Sequence, residues 1–163
     1  MSKEHLLTAL QPLLEGLRGL DLTRPEHVRA ALGERFPLGS LAELRALVRR
    51  GVAERWLCDR EAPAPDGGPP VRYSRVQKAS EPGALSIDAV HMAGAGGGHT
   101  HPAGEIDLCF RVDGDPRFDG QAEGWTVYAP GTWHVPTVTG GAMDILYFLP
   151  GGKIRFEARP AGG

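Results

Sequence analysis

Leucine recurs at helical spacing near the start of the chain, which predicts an amphipathic helix over residues 3–20. The residues that form this pattern are Leu6, Leu7, Leu10, Leu13, Leu14 and Leu17. Pro12 lies inside the pattern, so we expect it to kink or split the helix. A second helix is predicted from Pro25 to Leu32, and a third from the capping-box pattern Ser40–Glu43. Three short helices form only a small core, and we expect them to pack against the rest of the chain or against a second subunit.

The periodicity changes from helical to alternating after residue 70, which predicts β-strands. The candidate strands are Val71–Val76, Ala84–Met92, Ile106–Val112, Trp125–Ala129, Met143–Leu149 and Ile154–Ala158. Turn signals rich in Gly, Pro and Asp separate them, at residues 94–98, 113–114, 119–120, 130–131, 140–141 and 150–152. The pattern predicts a mainly β fold, a sandwich or a barrel. We therefore divide the chain into an N-terminal helical region (1–60), a linker or loop (61–70) and a β-barrel (71–163).

Composition and charge narrow the classes of function. The 163 residues carry a formal net charge of -2, which provides no basic surface for nucleic acid. The two cysteines, Cys58 and Cys109, are far apart and do not form a disulfide framework. Charged residues interrupt every apolar run near the N-terminus, so we expect neither a signal peptide nor a membrane span. The sequence predicts a cytoplasmic protein without nucleic-acid or membrane partners.

One cluster of residues indicates metal chemistry. His99 and His101 are separated by one residue, so in an extended chain their side chains point to the same face. Glu105 follows a turn marked by Pro102 and Gly104, and His134 lies 33 residues after His101. Three imidazoles and a carboxylate suit one divalent transition ion (Fe, Mn, Ni, Cu or Zn) better than Ca or Mg.

The segments GHTHPAGE and APGTWH resemble the two sequence motifs of the cupin superfamily. The resemblance implies a cupin barrel, a jelly roll also described as a double-stranded β-helix, with metal ligands at His99, His101, Glu105 and His134. The sequence differs from the motifs at four points: Ala93, Ala129 and Val138 replace the glycine, proline and asparagine of the usual pattern, and the glycine expected after Glu105 comes two residues late, at Gly114. These differences affect turns and leave the ligand positions intact. Cupins commonly dimerise through barrel edges, so a homodimer is expected, with the leucine-rich helix contributing.

A narrower resemblance extends over most of the chain. The segments WLCD, RYSRV, HPAGEIDLCF, GDPRFDG, HVPTVTGG and ILYFLPGG resemble a group of bacterial cupins that includes 4-hydroxylaminobenzoate lyases. Those enzymes convert 4-hydroxylaminobenzoate to protocatechuate and ammonia in nitroaromatic degradation. The resemblance implies a metal-dependent lyase acting on a small aromatic acid. Two alternatives stay open: an Fe(II) cupin dioxygenase for an aromatic or thiol substrate, and a cupin that binds a small ligand without catalysis.

Strand alternation extends the candidate site beyond the ligands. If Glu105 points inward, Asp107, Cys109 and Arg111 share its face, whereas Ile106, Leu108 and Phe110 point outward. Glu105, as a ligand, and Asp107, as a general acid or base or as a group that orients a ligand histidine, are the candidate catalytic carboxylates. The candidate substrate-binding residues form two groups. A substrate carboxylate could be bound by Arg75 and Arg111. The pocket wall could be formed by Tyr73, His91, Trp133 and Tyr147.

Overall fold

The N-terminal leucine pattern folds into three helices. A computed structural model describes residues 2–81 and 83–161 of the chain. The helices are α1 (Lys3–Leu17), α2 (Pro25–Arg35) and α3 (Ala42–Ala53), and α1 continues through Pro12 as one helix. None of the described helices has both the length and the apolar character needed to cross a membrane.

The predicted capping box at Ser40 is wrong. Ser40 lies in a short 3-10 helix, Leu38–Leu41, and its hydroxyl donates a hydrogen bond of 2.7 Å to the carbonyl of Pro37. Serine hydroxyls often bond to a nearby backbone carbonyl in this way, which removes them from a capping role. Helix α3 begins two residues later, with Leu41 at its N-cap position and no side-chain cap.

The remainder of the described chain is mostly strand. The strands are β1 (Arg60–Ala62), β2 (Val71–Gln77), β3 (Leu85–Met92), β4 (His99–His101), β5 (Glu105–Phe118), β6 (Gly124–Tyr128), β7 (Thr132–His134), β8 (Val138–Pro150) and β9 (Arg155–Phe156). They form a larger antiparallel sheet in the order β1-β2-β3-β8-β5-β6 and a smaller one in the order β7-β4-β9. This arrangement is the mainly β fold with an N-terminal helical region that the sequence predicts. Strand β1 occupies the start of the predicted linker. The predicted helical region and barrel include residues 1 and 162–163, which lie outside the described residues.

Two predicted turns are wrong because the strands continue through them. Asp113-Gly114 lies inside β5 and Gly140-Gly141 lies inside β8, where Gly114 pairs with Gly141 at an irregularity of the ladder. A Cβ atom on Gly141 would lie 1.9 Å from the carbonyl oxygen of Asp113. Glycine is therefore required there so that two backbones can approach closely. The turn predicted at Asp119-Gly120 does separate β5 from β6.

The larger sheet separates two apolar clusters. Its outer face packs against the helices, where leucines of α1 join Ile106, Leu108 and Phe110 of β5 in one core, as the alternation predicted. Its inner face carries a second cluster, which includes Val90, Cys109, Met143, Ile145 and Tyr147. Leu6, Leu10, Leu13 and Leu17 are at most 3% exposed within the single chain. The apolar face of α1 is therefore covered within the chain, and a homodimer to which the leucine-rich helix contributes stays a prediction.

Candidate metal centre

Two hairpins bring the four predicted ligand residues together. On β4, His99 and His101 point to the same face, and the register of β4 with β7 places His134 directly opposite His99. The chain then turns back at Gly104, whose backbone N–H donates a hydrogen bond to the carbonyl of His101. Glu105 therefore begins β5 facing the histidines from the larger sheet.

The ligand atoms of these residues form a tight group. The Nε2 atom of His101 lies 3.0 Å from that of His99 and 2.8 Å from that of His134, and the third pair is 3.1 Å apart. One carboxylate oxygen of Glu105 lies 2.9 Å from the Nε2 atom of His101. His99, His101 and Glu105 are buried, whereas His134 keeps 11% of its side chain exposed. The predicted convergence of the four side chains is therefore observed.

Hydrogen bonds fix the orientation of two of the imidazoles. The Nδ1 atom of His99 lies 2.9 Å from the carbonyl oxygen of Gly97, and that of His134 lies 2.6 Å from a carboxylate oxygen of Asp119. Both partners can only accept, so Nδ1 carries the proton and Nε2 presents a lone pair to the centre of the group. Burial, with the nearby His101 imidazole, lowers the pKa of His99 to about 4, which keeps this ring neutral near pH 7.

These four residues fit a divalent transition ion. Metal–imidazole bonds of about 2.1 Å place neighbouring ligand atoms about 3 Å apart, which matches the Nε2 spacing. The side chain of Glu105 is fully buried, and its carboxylate accepts no hydrogen bond from the described residues outside the ligand group and Asp107. A buried carboxylate without a cationic partner is strongly unfavourable unless a bound cation compensates its charge. His99, His101, Glu105 and His134 could therefore hold one ion of the class predicted from the sequence.

Asp119 and Tyr128 complete the surroundings of the group, and the sequence analysis did not identify them. One oxygen of Asp119 accepts hydrogen bonds from His134 and from the hydroxyl of Tyr128, and the other accepts from the backbone of Thr137. Burial acts to raise the pKa of Asp119, but the bonds from His134 and Tyr128 hold it below its ordinary value. The ring of Tyr128 stacks on His101 with centroids 5.8 Å apart. Only the turn at Asp119 was visible in the sequence, which does not show that this turn reaches His134.

Comparison with known proteins identifies the family. The sequence profile described as PnbB: 4-hydroxylaminobenzoate lyase matches residues 11–156. The chain belongs to the 4-hydroxylaminobenzoate lyase family. A 4-hydroxylaminobenzoate lyase of Pseudomonas putida is 33% identical over 161 residues, covering 87% of this chain and 89% of the relative. One of Nocardioides sp. (strain LMS-CY) is 30% identical over 168 residues, covering 96% of each. The crystal structure of the DMSP lyase DddQ from Ruegeria pomeroyi DSS-3 is similar with a TM-score of 0.49 and 20% identity, covering 99% of this chain and 98% of that one.

In this member of the 4-hydroxylaminobenzoate lyase family, Asp107 lies on the inner face of β5, next to Glu105 along that face. Asp107 is fully buried, and apart from Glu105 no described residue offers its carboxylate oxygens a hydrogen bond. Burial, together with the charge of Glu105, raises its pKa well above the ordinary value. Tyr147 lies opposite Asp107 in the register of β5 and β8, and its hydroxyl contacts the sulfur of Met92 at 3.6 Å. Asp107 and Tyr147 are thus part of the barrel interior, as predicted.

The two predicted arginines lie in different places. Arg75 is on the inner face of β2, 41% exposed, and pairs with Asp88 of β3. Arg111 is exposed, and six residues separate it from Glu105 along β5, which corresponds to about 20 Å of strand. The structure therefore does not bring Arg111 to the four ligand residues.

The remaining predicted wall residues are divided between the two faces. Tyr73 is on the inner face of β2, opposite Val90, and is 37% exposed. His91 is on the outer face of β3, where its Nδ1 atom lies 2.8 Å from Asp144 beneath helix α3. Trp133 alternates with Thr132 and His134, so it points away from the ligand atoms, and its Nε1–H donates to the carbonyl of Glu157. Only Tyr73 and Tyr147 of these four candidates face the barrel interior.

Asp119→Asn is expected to weaken metal binding about tenfold or more, because the carboxylate that orients the His134 imidazole loses its charge. Asparagine is the suitable replacement, since it tolerates the left-handed backbone at this position, where φ is 49°. The affinity is measured by titrating metal-free protein with Zn²⁺ in competition with a chelating dye. The control is Asp115→Asn, which changes an exposed carboxylate on β5, the strand that ends just before Asp119. An unchanged affinity in the Asp119 variant would contradict the orienting role.

Proposed function

We propose that the chain is a metal-dependent lyase that converts 4-hydroxylaminobenzoate, or a related hydroxylamino-aromatic acid, to protocatechuate and ammonia. The observation that carries this proposal is the convergence of three imidazole Nε2 atoms and one carboxylate oxygen inside the barrel. The family match and two relatives named 4-hydroxylaminobenzoate lyase support the choice of substrate. The net reaction adds one water to the substrate and requires no external oxidant.

The electrons balance within the substrate itself. The N–O bond breaks and the hydroxyl group leaves as water after it accepts a proton, which makes the ring carbon next to C4 electrophilic. One water then adds to C3, and a second hydrolyses the imine at C4, which releases ammonia. Loss of the proton on C3 restores the aromatic ring. Nitrogen is reduced by two electrons and the ring is oxidised by two.

The site residues supply two parts of this chemistry. When bound, a divalent ion held by His99, His101, Glu105 and His134 supplies a Lewis acid that eases departure of the hydroxyl group. We assign proton transfer to Asp107, because its carboxyl group is fully buried against Glu105, one of the ligand residues, and apart from Glu105 no described residue occupies its hydrogen-bonding capacity.

Recognition of the ring carboxylate requires a cation. We assign this role to Arg75, since it is on the inner face of β2, remains partly exposed, and presents a guanidinium group suited to a carboxylate. Asp88 holds that guanidinium in place before substrate binds. Tyr73, two residues away on the same face, and Tyr147 in the interior are the aromatic residues that we assign to the substrate pocket.

Metal-loaded protein is expected to convert 4-hydroxylaminobenzoate equally fast in air and under strict anaerobiosis, because the reaction takes oxygen from water. Protocatechuate and ammonia should form in equal amounts, and water labelled with ¹⁸O should label the ring hydroxyl groups. Liquid chromatography with mass spectrometry measures the amount of protocatechuate and its ¹⁸O content. Conversion only in air, with label from O₂, would instead support the dioxygenase alternative, and unchanged substrate would support the non-catalytic one.

Asp107→Asn is expected to lower kcat by about 10²-fold or more while metal content stays near that of the wild type, because general acid–base groups contribute rate enhancements of that order. Turnover and elemental analysis of the same sample separate the two possible roles of this carboxylate. Asp113→Asn, an exposed carboxylate on the same strand, serves as the control. Loss of metal from the Asp107 variant would show that this side chain supports the ligands and would contradict its assignment to proton transfer.

A further inference from the structure

Phe156 is placed beside the metal ligands by the smaller sheet. Strands β4 and β9 pair with Phe156 directly opposite His99, and residues opposite each other in an antiparallel pair share a face. Their rings are in contact, with centroids 5.2 Å apart in an edge-to-face arrangement. The side chain of Phe156 therefore points toward the same side of the sheet as the ligand imidazoles.

The exposure of Phe156 distinguishes it from its neighbours on that face. His99 is 2% exposed, whereas Phe156 is 69% exposed, the highest value among the large apolar side chains that the structure describes. Strand β9 is also an edge strand of its sheet, with β4 on one side only. The exposed ring of Phe156 therefore lies at the edge of the smaller sheet, in contact with the buried ring of His99.

Three contacts of Glu157 hold this edge in place. Its backbone N–H donates to the carbonyl of Gly98, its own carbonyl accepts from the Trp133 indole, and its carboxylate accepts from the hydroxyl of Thr100 at 2.5 Å. Hydrogen bonds thus hold the backbone that carries Phe156, while the described residues leave most of its ring exposed. A rigid, accessible aromatic surface of this kind suits a planar ligand, because little ordering is needed on binding.

We propose that Phe156 is a specificity-determining residue that contacts the ring of an aromatic acid entering the site beside His99. The proposal deepens the proposed function, since it identifies the residue that would favour a planar ring over a saturated one. Aromatic pairs prefer offset-stacked or edge-to-face contacts, and a saturated ring offers neither to the same extent. Leu20 and Val135 are also exposed apolar residues, but Leu20 lies between helices α1 and α2, Val135 follows the end of β7, and neither side chain has an aromatic ring.

The test uses Phe156→Ala and Phe156→Leu in metal-loaded full-length protein, with Leu20→Ala as the control. We expect Phe156→Ala to raise KM for 4-hydroxylaminobenzoate about tenfold with kcat changed less than about threefold, the size expected for loss of an aromatic contact. Phe156→Leu should recover only part of this loss. Metal content and thermal unfolding should match those of the wild type, which excludes a folding defect.

A binding experiment keeps this proposal separate from the proposed function. The wild type should bind benzoate and 4-hydroxybenzoate more tightly than cyclohexanecarboxylate, as titrations monitored by tryptophan fluorescence would show, and Phe156→Ala should remove most of that preference. If the wild type binds aromatic acids in this way without converting 4-hydroxylaminobenzoate, the proposed reaction fails and the role of Phe156 stands. Equal affinities of the wild type and Phe156→Ala for benzoate would overturn the role of Phe156. A changed oligomeric state with unchanged binding would overturn it too, and would indicate that a second copy covers the ring.

Discussion

Three imidazole Nε2 atoms and one carboxylate oxygen lie within 4.8 Å of one another in the interior of the barrel, and this crowding is the constraint on which the site depends. The outward-facing nitrogens of His99 and His134 are fixed as donors, so their Nε2 atoms cannot satisfy each other. Glu105 adds a buried carboxylate that faces ligand imidazoles and no Lys or Arg of the described residues. A bound cation attracts both the imidazole Nε2 atoms and the carboxylate of Glu105. Without a cation, the charge of Glu105 is buried without compensation and the Nε2 atoms of His99 and His134 repel each other.

The fold maintains this arrangement by placing Glu105 and Asp107 on the inner face of the larger sheet, beside the smaller of the two apolar clusters. The helices cover the outer face of the sheet, and their leucines and valines contribute part of the larger cluster. The inner face can therefore carry buried polar groups, among them Glu105, Asp107 and Thr126, opposite the short sheet that supplies the histidines. Asp119 connects the two parts, because it lies at the turn after β5 and binds His134 on β7. The candidate site thus lies on the inner face of strands whose outer face packs against the helices.

Local spacing in the sequence was sufficient to predict the ligand residues and the alternating faces of β5. The ligands follow from a known pair of motifs, and the alternation involves residues that are close together in the chain. Spacing could not predict contacts that depend on the register between strands. Asp119 and Tyr128 reach the histidines only through the pairing of hairpins, and His91 faces the helices because of the register of β3 with β8. The glycines at 140–141 indicated a turn, but they serve the close approach of two continuous strands. Arg111 lies on the predicted face of β5, but it is too far along the strand from Glu105 to reach the ligand residues.

X-ray absorption spectroscopy of the metal-loaded protein tests the central claim most directly, because it reports the ligands of the ion itself. The account predicts one ion per chain whose inner shell contains imidazole nitrogens and an oxygen at about 2.0–2.2 Å, with outer-shell scattering typical of three histidines. His101→Ala should remove one imidazole from that signal or abolish binding. A spectrum with no imidazole contribution, or one that His101→Ala leaves unchanged, would contradict the convergence of these side chains on a single cation.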